Sequence, residues 1–390
     1  KSFISKILTY NEGMALKLHN TLTGSLEEFV PIEAGKVKMF VCGPTVYDYA
    51  HIGNAKTYTQ FDITARVLGY LGYNVNYLQN ITDIDDKIIA RATERKIEPS
   101  VLAAEYEEYY LADMKSLNNV SVTQYARAHD YISQIVSQVE RLVEKGAAYK
   151  ISDGYYFDIK SFADYGKLSG RDSLKPDDAV SRIDENPEKK NPGDFCLWKF
   201  KKEGEPSWPT DIGEGRPGWH IEDTAITEAE FGPQYDIHGG AVDLIFPHHE
   251  AEIAQMESVS GKKPFVRYWL HTGFLNVNGK KMSKSENNFF TIRDIFERGF
   301  SPLSLRYLFL LSHYRTPVNF TWEALEAANN AFEKLKRFVG PLSAVGEVDQ
   351  AYAAEFREKL ENDLNTPQAL AVLWTLVKDK EVTPEDKLAT

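Results

Sequence analysis

The sequence predicts an α/β protein: a Rossmann-like, doubly wound parallel sheet that carries an insertion and is followed by an all-α helical bundle. Three observations lead there. Lys36 to Asn80 reads as strand, Gly/Pro loop, helix and strand, a βαβ unit on the usual scale of roughly 30 to 45 residues, whose ligands belong at the carboxyl ends of the strands. The stretch Arg171 to Asn191 is dense in Asp, Glu, Lys and Pro and reads as a surface excursion within an inserted domain. After Trp322 the pattern is helical almost throughout, with a Pro/Gly break at Gly340-Pro341.

Taken in order, Val37-Lys38-Met39-Phe40-Val41-Cys42 is the first strand of the unit, a helix runs from about Asn54 to Leu71, and Asn74 to Leu78 is extended. Helical periodicity continues over Val101 to Leu117 and Tyr131 to Lys145, where Gly146 supplies a stop. Sheet character returns at Asp236-Ile237-His238, a helix starts near Pro247, which suits a first helical turn, and Phe274-Leu275-Asn276-Val277-Asn278-Gly279 has the look of a hairpin. There is no internal repeat and no low-complexity segment.

Composition narrows the function classes. At 390 residues, 43% hydrophobic and 26% charged, the chain has ordinary globular values and is too long for one compact core, so two or three domains are expected and disordered or fibrous architectures are excluded. Apolar runs such as Leu308-Phe309-Leu310-Leu311 stop well short of the ~20 residues a bilayer span needs, and the start lacks a secretory pattern, so a cytoplasmic protein with no membrane partner is expected. A net charge of −12 argues against a generally basic surface that coats nucleic acid, so a polynucleotide partner needs local basic patches. Two cysteines, Cys42 and Cys196, allow no disulfide framework and no CxxC knuckle, so a metal site must draw on His and carboxylates. Cys196, between Phe195 and Leu197, reads as a buried core thiol.

Three constellations carry chemistry. Cys42-Gly43-Pro44-Thr45-Val46-Tyr47-Asp48-Tyr49-Ala50-His51-Ile52-Gly53-Asn54 lies where the first strand ends and the first helix begins. Free N–H groups and the positive dipole end suit a phosphate there, Gly53 lets a nucleotide approach the backbone, and His51 can donate to phosphoryl oxygens. Lys280-Lys281-Met282-Ser283-Lys284-Ser285 follows the hairpin. Alone it is a solvated basic loop, yet Lys281 and Lys284 suit a triphosphate whose charge rises as pyrophosphate leaves. Phe246-Pro247-His248-His249-Glu250-Ala251-Glu252 sets His248 and Glu252 four apart, on one helix face, where both can reach a single metal ion. Gly218-Trp219-His220-Ile221-Glu222-Asp223 and His238-Gly239-Gly240-Ala241-Val242-Asp243 add polar groups beside small residues, as a strand-end pocket requires.

His51-Ile52-Gly53-Asn54 followed some 230 residues later by Lys281-Met282-Ser283-Lys284-Ser285 resembles the paired signatures of class I aminoacyl-tRNA synthetases. With NITDIDDKI, GRPGWHIED, DIHGGAVDLIFPHHEAEIAQ and DLNTPQALAVL, the chain from about Leu16 onward resembles the cysteinyl-tRNA synthetases. That resemblance implies a Rossmann catalytic domain in two halves, 1–120 and 216–275, split by a connective insertion at 121–215. A loop and stem-contact region at 276–321 and a tRNA-binding helical bundle at 322–390, extending further than Thr390, complete the expected layout. It implies cysteine–tRNA ligation: activation of L-cysteine with Mg-ATP, then transfer to tRNA(Cys), by a monomer. His51, Asn54, Lys281 and Lys284 would serve the chemistry; Gly53, His238, Gly239, Gly240 and Asp243 would meet ATP with them; Gly43, Thr45, Trp219 and His238 would surround the cysteine.

The family's zinc, one per chain, maps to Cys42, Asp223, His248 and Glu252. This sequence departs at two positions. Asp223 stands where the family has Cys, which keeps the charge but replaces a soft donor by a hard one and should weaken zinc binding; otherwise selectivity falls to pocket shape around Thr45, Trp219 and His238. Asn54 stands where the family usually has a second His, so it can donate a neutral hydrogen bond but cannot be a cation. Two rival readings remain: a ligase joining cysteine to an amino sugar, as in mycothiol synthesis, and a tRNA-binding paralogue that does not acylate. Phe332-Glu333-Lys334-Leu335-Lys336-Arg337 and Asn365-Thr366-Pro367, which resemble the tRNA-binding region, weigh against the first, and the intact Lys281 to Ser285 run against the second.

Overall fold

The computed structural model describes residues 15–171, 186–282, 288–340 and 346–390. A short hairpin, β1 (Lys17–Asn20) and β2 (Ser25–Glu28), leads into the βαβ unit of β3 (Lys36–Val41), α1 (Ile52–Tyr70) and β4 (Asn74–Ile81). Helices α2 (Asp86–Arg95) and α3 (Pro99–Ser116), strand β5 (Gln124–Arg127) and helix α4 (Ile132–Glu144) follow. Next come strands β6 (Ala148–Ile151), β7 (Gly154–Phe157), β8 (Phe195–Phe200) and β9 (Gly215–Pro217), which form an antiparallel sheet in that order. The chain returns through α5 (Trp219–Phe231), β10 (Tyr235–Ala241), α6 (Glu250–Ser260) and β11 (Val266–Thr272).

Strands β11, β10, β3, β4 and β5 lie side by side in that order, every neighbour parallel. A parallel sheet is covered on both faces, and the alternation along β3 shows how. Val37, Met39 and Val41 point into one core with Ile52, Phe61 and Leu68 of α1. Phe40 and Cys42 point into the other, with Ile221 of α5 and Ala251 and Met256 of α6. The period of two therefore places the Cys42 thiol on the α5/α6 face.

Helix α1 is buried almost all round, polar residues included, which periodicity alone does not reveal. Its polar groups bind the surrounding backbone. Gln60 Nε2 donates to Phe309 O at 2.9 Å, and Asp62 accepts from Arg306 Nη2 at 2.6 Å and from the N–H groups of Val120 and Ser121 at 2.9 Å. Lys56, fully buried, donates from Nζ to Gly273 O at 2.6 Å and Tyr314 O at 3.2 Å. Burial lowers its pKa to about 8. Because the unfolded lysine titrates near 10.5, the unfolded chain binds more protons between those values, and stability should rise with pH across that window. The stability difference between wild type and Lys56→Met is expected to move in favour of wild type by up to about 3 kcal/mol from pH 8 to 10.5, measured by denaturant unfolding.

The second-signature region is a hairpin of β12 (Leu275–Val277) and β13 (Lys280–Lys281), with β14 (Val318–Phe320) parallel to β12. Asn278 and Gly279 both have positive φ, 51° and 77°, the backbone a two-residue hairpin turn requires. Helices α7 (Ile292–Glu297) and α8 (Pro302–Leu310) follow, then α9 (Trp322–Val339), α10 (Gln350–Glu361), α11 (Thr366–Lys378) and α12 (Pro384–Ala389).

Two local expectations need correction or bounding. Pro247 does not open a regular helix: Phe246 is extended (φ −136°, ψ 132°) inside an irregular turn, Ile245–His249, and α6 begins at Glu250. The acidic excursion lies mostly outside the described residues, as do Pro341, Ser283, Lys284 and Ser285. Cys196 is buried in β8.

Candidate functional site

The site lies at the carboxyl ends of β3 and β10, where the strand order places ligands in such a sheet. One half is built on the start of α1. His51 caps that helix: its Nδ1 accepts from Asn54 N at 3.1 Å, while Asn54 Oδ1 accepts from His51 N at 3.3 Å, a reciprocal capping box. This fixes the His51 ring with Nε2 as the nitrogen that can face a phosphate, and leaves the Asn54 amide Nδ2 as the donor that can face outward. Gly53 has a steric reason. A Cβ there would lie 2.9 Å from the His51 ring, so a side chain would displace the capping histidine.

The two signatures meet. Ile52 N donates to Phe290 O at 3.0 Å and Ile292 N to Ala50 O at 3.3 Å, so the segment leaving the lysine loop pairs with the entry to α1. The Met282 methyl lies 3.4 Å from the Cβ position of Gly53. Lys281 is exposed, its Nζ 5.8 Å from the centre of the Phe274 ring; Lys284 falls outside the described residues.

The other half is a buried polar cluster. Of nine histidines in the chain, five meet here: His220, His238, His248, His249 and His271. Cys42 Sγ lies 3.3 Å from His238 Nε2, 3.1 Å from His249 Nε2 and 3.8 Å from Glu252 Oε1. His248 Nε2 lies 3.0 Å from both Asp223 Oδ2 and Glu252 Oε1, and its Nδ1 2.8 Å from His220 Nδ1. The ligand atoms of Cys42, Asp223, His248 and Glu252 are all within 4.8 Å of one another, as are those of Cys42, His238, His249 and Glu252.

Burial dominates the electrostatics. It raises the Cys42 thiol well above its usual range, with Asp223 and Glu252 adding to the effect, and holds His238 and His249 far below the usual histidine range. His248 goes the other way: burial opposes its cation, but Glu252 and Asp223 outweigh it. Burial also pushes Glu252 up against the pull of His248. Glu252 Oε2 is buried without a hydrogen bond. A cysteine sulfur, imidazoles and carboxylates around an unsatisfied buried oxygen are chemically suited to zinc.

The remaining expected residues divide by position. Gly43 N donates to Asn80 Oδ1 at 2.5 Å, and a Cβ there would strike Asn80 O. Thr45 bridges to Thr82 at the end of β4. Trp219 is 40% exposed and stacks on the His248 ring at 4.2 Å. His238 is fully buried, stacked on Trp269 at 4.3 Å. Gly239 and Gly240 make room for Phe61 and His249, and Asp243 is exposed in the turn after β10. The sequence reading gave no role to His249 or His271. The doubled histidine of the Pro-His-His-Glu run was a usable signal for the first; His271, inside an apolar strand, offered none.

A doubly wound sheet whose strand ends join a capped histidine signature to a lysine loop defines a class I aminoacyl-tRNA synthetase catalytic domain. Residues 28–330 match the family model for the tRNA synthetases class I (C) catalytic domain, and 355–385 match the DALR domain. The chain is 52% identical over 366 residues to a cysteine–tRNA ligase of Thermoplasma volcanium, covering 92% of this chain and 80% of that protein. It is 45% identical over 401 residues to one from Heliobacterium modesticaldum, covering 96% and 83%. It belongs to the cysteine–tRNA ligase family. Among solved structures, the fold is shared with a Mycobacterium tuberculosis methionyl-tRNA synthetase in complex with methionyl-adenylate: TM-score 0.63, 15% identity, 91% of this chain and 87% of that one. It is also shared with a LeuRS–tRNA–LeuAMS complex from Agrobacterium radiobacter K84, at TM-score 0.65, 10% identity, 93% and 83%.

Proposed function

We propose that this chain activates L-cysteine with Mg-ATP and transfers it to the 3′-terminal adenosine of tRNA(Cys), acting as a cytoplasmic monomer. The observation that carries the reading is the meeting of Met282 with Gly53 beside the His51–Asn54 cap, which puts both nucleotide-handling segments against one helix N-terminus. The cysteine carboxylate forms a bond to the α-phosphorus as the bond to the β-phosphate breaks and pyrophosphate leaves. The ribose hydroxyl of tRNA then takes the acyl group and releases AMP.

Side chains align and stabilise charge, with no protein nucleophile. His51 Nε2 faces the phosphates at the positive end of α1, Asn54 adds a neutral donor, and Lys281 with Lys284 balances the charge on the departing pyrophosphate. Gly239, Gly240 and Asp243 line the adenosine side; Gly43, Thr45, Trp219 and His238 enclose the amino acid. Zinc would be anchored by Cys42 and Glu252, with Asp223 and His248 the completing pair that resemblance implies. It supplies a Lewis-acid preference for a thiolate sulfur over a neutral hydroxyl. The match of the tail to the DALR domain supports tRNA over an amino sugar as acceptor.

Cysteine-dependent ATP–pyrophosphate exchange tests this. Exchange is expected with cysteine and at least about 100-fold less with serine, the scale a few kcal/mol of sulfur recognition provides. Equal rates with both would remove the thiol-recognition reading.

A further inference from the structure

The backbone entering α7 is tied to the segment that carries His51. Besides the bonds from Ile52 N to Phe290 O and from Ile292 N to Ala50 O, His51 and Thr291 face each other as an antiparallel bridge. Helix α7 is itself firmly seated. Thr291 N donates to Asp294 Oδ2 at 2.6 Å and Asp294 N to Thr291 Oγ1 at 3.3 Å, a capping box, while Ile292 and Ile295 are fully buried in the core that holds Ile52. Two adjacent backbone bonds define an axis, and rotation of the His51 segment about it is left to side chains.

Arg293 supplies the third point of contact. Its guanidinium carbon lies 4.6 Å from the centre of the Tyr49 ring and 4.5 Å from that of Tyr109, and the two ring centres are 5.0 Å apart. These nearly equal sides place the cation over the notch between the rings. Tyr49 stands two residues before His51, whereas Tyr109 belongs to α3. On the same helix, buried Asp113 has Oδ1 3.6 Å from Arg293 Nη2. Burial raises the Asp113 carboxyl to about 6 against the pull of Arg293. Asp113 Oδ2 and Arg293 Nε are both buried without a hydrogen bond. A brace for stability alone would be better served by an aliphatic side chain than by such a partly satisfied pair.

We propose that Arg293 is a positioning residue for adenylate formation: by gripping Tyr49 against α3, it sets the orientation of the backbone that presents His51. This rests on the reading that His51 serves the chemistry. A guanidinium suits the task because its planar group packs on aromatic rings in a defined orientation, which an ammonium on a flexible stem does not. Small displacements matter here, since a shift of roughly 1 Å in a positioned group can cost about 100-fold in rate.

Cysteine-dependent ATP–pyrophosphate exchange by the full chain, with kcat and KM read separately, tests the proposal. Arg293→Ala should lower kcat about 10-fold or more, with the KM values for cysteine and ATP within about twofold of the unaltered protein and the same number of active sites by adenylate titration. Tyr109→Leu should lower kcat in the same way, Tyr109→Phe should restore it, and the double variant Arg293→Ala/Tyr109→Leu should lose no more than Arg293→Ala alone. The Tyr109 variants decide the matter even where Arg293→Ala fails to fold. Unchanged kcat in the single variants, additive losses in the double variant, or a loss explained by fewer active sites overturns the positioning role. His51→Ala separates the two readings: if it abolishes exchange while Arg293→Ala does not, only the positioning role falls, and if it too leaves exchange unchanged, the role of His51 falls with it.

Discussion

Glu252→Ala is expected to strip the metal and lower cysteine-dependent ATP–pyrophosphate exchange at least about 100-fold, the upper range seen when even an outer partner of a metal is lost. Glu252 belongs to both donor sets, so no rearrangement among the five histidines replaces it. The fold should survive, because His248 keeps Asp223 at 3.0 Å and the vacated carboxylate had one oxygen already without a hydrogen bond. The expected stability loss is about 1 to 2 kcal/mol, that of a buried hydrogen bond. Zinc content by elemental analysis, read beside exchange and unfolding, checks the result. Full zinc occupancy in the variant would show that Glu252 is not a ligand.

Asp363→Ala should have the largest effect outside the site. Asp363 is 4% exposed and ties three segments together. Its Oδ1 accepts from His19 N at 2.9 Å and the Tyr314 hydroxyl at 2.8 Å, and its Oδ2 from Arg315 Nε at 2.8 Å. Its own N–H reaches Lys17 O at 2.9 Å, and its carbonyl accepts from His313 Nε2 at 2.8 Å. The hairpin β1–β2, the turn after α8 and the α10–α11 junction thus share one carboxylate. Alanine would leave a buried phenol and a backbone N–H without acceptors and would keep a φ of 57°, which suits alanine poorly. A loss of about 2 to 4 kcal/mol is expected, Arg315 adding little because its side chain is partly exposed. Asp363→Asn, which tolerates that φ and keeps an acceptor, should lose about half as much. Because α10 and α11 hang on this junction, aminoacylation should fall more than pyrophosphate exchange; equal falls in both would mean that the junction braces the catalytic core as a whole.

Much of the fold was legible because its signals are local. The β3–α1–β4 unit shows in the change from a period of two to one of 3.6, and the hairpin in Asn278-Gly279. His51 and Gly53 were legible as a helix-start motif, but the capping box that locks His51 to Asn54 was not, since His is not a usual N-cap and Asn not the usual N3 partner of such a box. Pro247 misled as a helix start because the extended backbone at Phe246 is set by packing around the irregular turn, which periodicity does not report.

What the sequence determined by itself was the kind of chemistry: paired signatures in order, His248 and Glu252 set four apart, and a helical tail. These follow from residue type and spacing, which the chain carries in one dimension. What only the tertiary structure decided was which residues share a space. The alternation along β3 turns Cys42 toward α5 and α6, and β10 sets His238 opposite Phe40 in register. Together they place His238 and His249 as near to the thiol as Glu252, an acid separated from Cys42 by 210 residues. Proximity across that separation is fixed by strand order and face, and neither is written in any local stretch of sequence.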